Sequence, residues 1–365
     1  MSAEACDECL RRTALVAALA PWLDVEWRRR SAPSGVLSLP DEALVELDRS
    51  GRVARAHAAF APARARERAA GAGLTAICSC APDYPERLRE LDDPPAVLHV
   101  AGRVAALERA DAVAIVGARR GTAYGLEVAR SLGRGLSAAG VPVVSGMAMG
   151  VDSAAHMGVV EQAAAPPAPV AVLAGGADIP YPASHRRLHV QLVERGCVVS
   201  ELPPGFTAFR WCFVARNRLI AGLAALTVVV EATERSGSLT TADFATQLGR
   251  PVLAVPGPVT SRFSAGTNML LAAGAGVVRD SRDVLEQLLG PSAPPRADAP
   301  PAVPIEPRLR RLLDAIERGH GSLAELASDA GEANQVLQDL TDLELRGLVR
   351  REFGGRYVRA LEGRA

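Results

Sequence analysis

Short apolar runs recur through the middle of the chain, each followed by a stretch of helical character. The runs are Ala112–Val116, Pro142–Ser145, Val170–Leu173, Cys197–Ser200, Leu226–Glu231, Val252–Val255 and Gly276–Val278. Most are continuous rather than alternating, which suits strands covered by helices on both faces. The stretches between them include Tyr124–Ala139, Ser153–Ala164, Ser184–Arg195, Leu239–Leu248 and Asn268–Ala273. This alternation predicts an α/β fold on a doubly wound, mainly parallel sheet. Ligands of such sheets bind beyond the carboxyl ends of the strands, so chemistry is sought in the loop after each run.

The flanks have other patterns. Residues 1–72 are rich in Ala, Leu and Arg and predict a helical domain, with turn signals at Pro33–Gly35 and Ser50–Gly51. Residues 73–104 predict a loop-rich bridge into the core, which runs over 73–289. Residues 290–304 predict a proline-rich linker. The closing domain, 305–365, predicts a helix over Arg308–Arg318. A second helix starts with Ser322 as N-cap and Glu325 at the capping-box position, and Gly331 ends it. A third spans Ala333–Arg346. Leu348–Glu352, Gly354-Gly355 and Arg356–Arg359 then predict a β-hairpin. Three helices and a hairpin describe a winged helix.

Composition removes several chemistries. The 365 residues include 41 basic and 41 acidic side chains, so the net charge is zero. A polyanion site must therefore be a local concentration of cations. Every basic residue is arginine. Without lysine there is no Schiff base and no standard P-loop, which excludes pyridoxal phosphate chemistry and a Walker-type ATPase. Cys6 and Cys9 form a CxxC, Cys78 and Cys80 a CxC, and Cys197 and Cys212 stand alone. No second CxxC and no His pair stands at zinc-finger spacing, so neither a metal nor a cofactor is expected. Acidic Glu4, Asp7 and Glu8 argue against a secretory signal, and no window approaches a membrane span. A cytoplasmic protein with no membrane partner is expected.

Candidate chemistry follows the strands. Gly117 lets the backbone turn after the first run, and Arg119 and Arg120 stand ahead of a helix, an arrangement suited to anions or simply a tight turn with solvated arginines. After the second run, Ser145, Gly146 and Gly150 offer backbone N–H groups to phosphate oxygens. Asp152 is placed to N-cap the next helix, with His156 one turn on; a metal reading lacks a third ligand. After the third run, Asp178 and Tyr181 lie in a proline-stiffened loop, where the tyrosine can stack on a base or pack the turn. Arg216, Asn217 and Arg218 precede an apolar helix and either contact phosphates or hold neighbouring loops. Ser236, Gly237 and Ser238 form an oxyanion-compatible pocket or an ordinary helix cap. No GxSxG elbow or paired histidine supports a serine nucleophile.

These blocks occur in a fixed order. Asp83-Tyr84-Pro85 with Leu88, Leu91 and Asp93-Pro94-Pro95 leads into VGAR, SGMAMGVDSAAH, GGADIPYP, Ser200-Glu201, ARNRLIAG, VVEA, SGSLTTA, GRPVLAVPG and GTNMLLAAGA. From about residue 73 to 279 the succession resembles the DprA/Smf family (DNA-processing protein A). The resemblance implies an extended Rossmann-like core, a homodimer, and single-stranded DNA held in a basic pocket without catalysis. It further implies delivery of that DNA to RecA recombinase during natural transformation, and a SAM-like N-terminal domain. It assigns the pocket foremost to Arg119. Two departures stand out. Met149 occupies a position where the family usually has lysine or arginine, and Phe213-Val214 replaces Phe-Pro.

The closing domain carries ten arginines and eleven acids, net −1. Asp339, Asp342 and Glu344 lie on its third helix, while Arg346, Arg350, Arg351, Arg356 and Arg359 gather near the hairpin. The expectation is contact with duplex DNA through the wing, or with a protein, rather than groove reading by the third helix. The competing reading of the whole chain is a nucleotide sensor or nucleotide N-glycosidase on the same scaffold. The PGGxGTxxE mark of that glycosidase group does not occur here.

Overall fold

The computed structural model describes residues 5–29, 35–162, 168–290, 305–327, 329–346, 348–351 and 355–359. Residues 1–293 group into one compact unit and 294–365 into another. Nearly all of the expected linker, residues 291–304, lies outside the described residues.

The first unit opens with α1 (Asp7–Arg29), α2 (Asp41–Leu47), α3 (Arg52–Ala58) and α4 (Pro62–Gly71). Next come β1 (Thr75–Cys78), α5 (Glu86–Arg89) and β2 (Val97–Gly102). The alternating region follows as β3 (Val113–Val116), α6 (Ala123–Ala138), β4 (Val143–Ser145), α7 (Val151–Val160), β5 (Val170–Val172), α8 (Arg186–Arg195) and β6 (Cys197–Ser200). It continues with α9 (Arg210–Leu223), β7 (Leu226–Val229), α10 (Gly237–Gln247), β8 (Val252–Ala254), α11 (Ala265–Ala272), β9 (Gly276–Val277) and α12 (Ser281–Leu289).

All seven expected apolar runs are strands. They join β1 and β2 in one sheet of order β1-β2-β6-β5-β4-β3-β7-β8-β9. Every pairing from β6 to β9 is parallel, whereas β1–β2 and β2–β6 are antiparallel. The fold is the expected extended Rossmann-like one, with a correction in the bridge, which supplies two strands rather than loop alone. Continuous apolarity in β3 has its reason in the packing. Val113 and Ile115 join a cluster with Val128, Leu132 and Leu136 of α6. Ala114 and Val116 join the opposite cluster with Leu219 and Leu223 of α9. Alternate residues thus bury on opposite faces.

From β3 to β6 the sheet grows in one direction. The chain then crosses back through α9 and enters beside β3 as β7. The direction of growth reverses between β3 and β7, where a crevice opens at their carboxyl ends.

The N-terminal helices pack onto this core. Leu15, Leu19 and Leu23 of α1 share a cluster with Leu202, Trp211 and Cys212. Asp24 accepts hydrogen bonds from the backbone N–H groups of Arg210 (2.9 Å) and Trp211 (3.3 Å), capping α9 from outside its own chain segment. The Trp211 indole Nε1 donates to Ala20 O at 2.9 Å. Among the described residues no helix is long and apolar enough to cross a membrane.

The second unit contains α13 (Pro307–Glu317), α14 (Leu323–Leu326), α15 (Ala330–Leu345) and the antiparallel pair β10 (Val349–Arg351) and β11 (Tyr357–Arg359). This is the element order of a winged helix. The Ser322–Glu325 capping box forms. Gly331 does not end the second helix; it lies inside α15, which Asp329 caps by accepting from Glu332 N at 2.8 Å. Asp339 is buried and meets Arg308 at 3.1 Å, so it is not the exposed repulsive charge expected. Gly354 of the expected turn lies outside the described residues.

Candidate functional site

A cavity of about 650 Å³ occupies the crevice at the carboxyl ends of β3, β4 and β7. Its cations are Arg119, Arg120, Arg210 and Arg216, and its carboxylate is Asp152. Four rings, Trp27, Tyr181, Phe213 and Phe263, stand around it, with hydroxyls from Thr233, Ser236, Ser238 and Thr241.

Arg119 and Arg120 are exposed in the loop after β3. The Arg119 guanidinium carbon lies 4.7 Å from the centroid of the Phe213 ring. The Phe213 ring is in turn 5.1 Å from that of Tyr181, tilted by 51°. Cation and rings make one continuous surface, with Tyr181 about half exposed at 48%.

Two glycines bring the loops together. A Cβ on Gly117 would stand 2.8 Å from both methyl groups of Val151. Gly150 has a φ of 89°, and a Cβ there would strike Ala118 O. Val151 N donates to Ala118 O at 3.2 Å, fastening the start of α7 to the Arg119 loop.

Asp152 departs from its expected role. Gly150 is the N-cap of α7, and Asp152 lies inside the helix. Its buried carboxylate accepts from Gly146 N at 3.2 Å. Burial pushes its pKa up, against the pull of Arg216 and of nearby backbone N–H groups. The N–H group of Gly146 is thus held by the protein's own carboxylate. Ser145 is fully buried and donates to Ile115 O at 2.6 Å, joining β4 to β3. His156 is fully buried too, and burial pushes it down to about 4, so it is a neutral core residue.

The arginine block lies within α9 rather than ahead of it, and its members diverge. Arg216 lines the cavity while its Nη1 donates to Gly146 O (2.9 Å) and to Val172 O, clasping the ends of β4 and β5. Its Nε is buried with no hydrogen-bond partner among the described residues. Burial pushes its pKa down to about 10, which leaves it charged at neutral pH. Asn217 Nδ2 donates to Gly237 O (3.0 Å) and Thr240 Oγ1 (2.8 Å), fixing the start of α10. Arg218 is absent from the cavity wall. It is buried in a fork with Glu201 (2.8 and 2.7 Å) and bonded to Asp93 (2.9 Å). Those carboxylates hold its pKa above the usual range. Of the two roles open for this block, the geometry gives loop-holding alone to Arg218, and both loop-holding and cavity lining to Arg216 and Asn217.

Ser236 caps α10, accepting from Ser238 N at 3.4 Å, and its Oγ lies 2.7 Å from that of Ser238. Gly237 beside them is exposed. Asp178 accepts from Gly205 N at 3.0 Å, stapling two loops.

Glu231, not singled out above, closes a position that matters in this fold. Its buried carboxylate accepts from Thr122 N (2.8 Å) and Thr122 Oγ1 (2.6 Å) at the start of α6. Gly125 lacks the Cβ that would collide with it. In a dinucleotide-binding sheet, the start of the helix after the first strand receives the pyrophosphate. Here a protein carboxylate fills it.

Residues 75–289 match the family model described as DNA recombination-mediator protein A. The chain belongs to this family. The putative DNA processing protein DprA of Mycobacterium tuberculosis is 43% identical over 263 residues, 70% of this chain and 66% of that relative's length. The X-ray structure of DprA from Streptococcus pneumoniae superposes with a TM-score of 0.62 at 27% identity, over 77% of this chain and 96% of that one. DNA processing protein A from Helicobacter pylori, a structure concerned with its single-stranded DNA binding mode, gives a TM-score of 0.52 at 29% identity, over 56% of this chain and 93% of that one. The matched segment contains β1 to α12, and so every cavity residue except Trp27.

Proposed function

We propose that this protein binds single-stranded DNA in the crevice between β3 and β7 and acts as a recombination mediator. One observation carries the reading: Arg119 stacked on Phe213 beside an exposed Tyr181. Arginine engages phosphates while rings accept bases of any identity, which is how sequence-tolerant single-strand sites are built. Four arginines against one buried carboxylate give the cleft a local positive field that the neutral chain lacks as a whole.

The phosphates meet Arg119, Arg120 and Arg210, with Arg216 at the floor. The backbone N–H group of Gly146, already bonded to Asp152, does not take part. Binding in this way needs no catalytic step. Handing the strand to RecA, pairing of two copies to place two clefts along one strand, and a part in natural transformation complete the proposal, with support from the family relationship. The small-nucleotide reading is weakened by Glu231, which fills the pyrophosphate position.

The test is fluorescence anisotropy of a labelled dT oligonucleotide and an equal-length duplex over a salt series, with adenosine monophosphate as competitor. Preference for the single strand, weakening with salt and indifferent to the nucleotide, supports the proposal. Equal affinity for the duplex, or displacement by the nucleotide, overturns it.

A further inference from the structure

Four cysteines far apart in sequence meet at one point. Cys6 precedes α1 and Cys9 lies in its first turn, while Cys78 ends β1 and Cys80 stands in the turn beyond. Their Sγ atoms all lie within 4.8 Å of one another. Cys9 Sγ is 3.3 Å from Cys80 Sγ, and Cys6 Sγ is 3.7 Å from it. These separations are well beyond the roughly 2.05 Å of a disulfide. They bracket the edges of a tetrahedron of thiolates about 2.3 Å from a central zinc, which are about 3.8 Å long.

The surroundings suit a thiolate cage. Cys9 N–H points at Cys6 Sγ at 3.5 Å, a contact that favours the thiolate. Four thiolates around a divalent ion leave two negative charges, and guanidinium groups stand beside the ligand-bearing backbone. Arg66 donates to Ala5 O (3.1 and 2.7 Å). Arg89 donates to Ser79 O and to Ala81 O (2.7 Å), on either side of Cys80. Cys9 and Cys78 are buried and Cys80 is exposed, which leaves an entry path for the ion. Cys197 and Cys212, by contrast, are buried apart from this cluster.

We propose that Cys6, Cys9, Cys78 and Cys80 bind one Zn²⁺ as a closed, structural tetrathiolate site. The ion replaces the thiol protons, which pass to solvent, and no oxidant or reductant is involved. Four protein ligands leave no open position, so the site holds structure and does no chemistry. It ties the start of α1 to the edge strand across some seventy residues of chain. A multi-iron cluster needs its thiolates spread around several metal and sulfide atoms, and this cage is too compact for one.

The test uses the full-length chain produced with both zinc and iron supplied, followed by metal analysis. About one zinc per chain is expected, falling to below about a tenth in Cys80→Ser and Cys6→Ser and unchanged in Cys197→Ala. Replacement by Co²⁺ should give the visible and near-ultraviolet bands of a tetrahedral cobalt thiolate, a readout independent of how well the serine variants fold. Iron in place of zinc, a Cys6–Cys9 or Cys9–Cys80 disulfide in peptides from the unreduced protein, or a metal-free chain without the cobalt bands would each overturn the proposal.

Discussion

Arg119 rests on Phe213, its guanidinium carbon 4.7 Å from the ring centroid. An exposed arginine ordinarily samples many rotamers, and fixing it on binding costs entropy. A ring beneath the guanidinium narrows that sampling before any ligand arrives, leaving the charge free for phosphate.

Replacement of Arg119 by alanine should therefore weaken binding of a dT oligonucleotide roughly 10- to 100-fold, the worth of a charge-assisted contact of about 1.5–3 kcal/mol. The slope of log affinity against log salt should shrink by about 0.7 for each phosphate contact removed. Phe213→Leu should cost less and leave the slope alone, because it removes the support and not the charge. Anisotropy titrations over a salt series check both. An Arg119→Ala protein that binds as tightly as the parent would remove the cleft from the account.

Arg218→Ala should act on stability instead. It strands Asp93 and Glu201, both largely buried, without their shared cation. Breaking a buried pair from one side costs about 3–5 kcal/mol. Urea denaturation should show that loss, while the folded fraction binds DNA with the parent's affinity. A stable variant with weakened binding would restore Arg218 to the interface.

Met149 is half exposed, at 50%, on the loop that also carries the cavity residue Ala148. Met149→Arg should raise affinity for single strands and steepen the salt slope by about 0.7, as one more phosphate is engaged. An unchanged slope in the variant would show that this loop stays clear of the strand.

Two buried histidines make stability sensitive to acid. Burial pushes His99 and His156 down to about 4, from an ordinary value of 6.5. Between those values the unfolded chain binds protons that the folded one refuses. Stability should fall as pH drops through this window, by on the order of 3 kcal/mol per histidine. Urea midpoints across the window check this, and His156→Gln should remove its share of the slope.

The strands of the parallel core were legible because burial on both faces leaves unbroken apolar runs such as Val113–Val116. β1 and β2 were not, since a short stretch among proline-rich turns shows no periodicity long enough to read. The glycine loops and Arg119 were correctly placed at the carboxyl ends of strands. What sequence does not carry is which partner a polar group faces. Arg216 and Arg218 are two residues apart on α9, yet one lines the cleft and the other is buried against Asp93 and Glu201. Phe213 was visible only as half of a departure from the family pattern, and its role depends on α9 crossing over the Arg119 loop. The cysteines were legible as CxxC and CxC, but their convergence depends on α1 meeting the edge strand.

Helix α1 touches the cavity-bearing core through its last turns, where Asp24 caps α9 and Trp27 reaches the cavity wall. A core trimmed of its N-terminal helices is therefore not a simpler version of the same cleft. It has lost a wall of the cleft, the cap of the helix that carries Phe213 and Arg216, and the cover over Trp211. An N-terminal region grafted onto this core must supply the contacts that Asp24 and Ala20 make with α9 and the ring that Trp27 brings to the cavity.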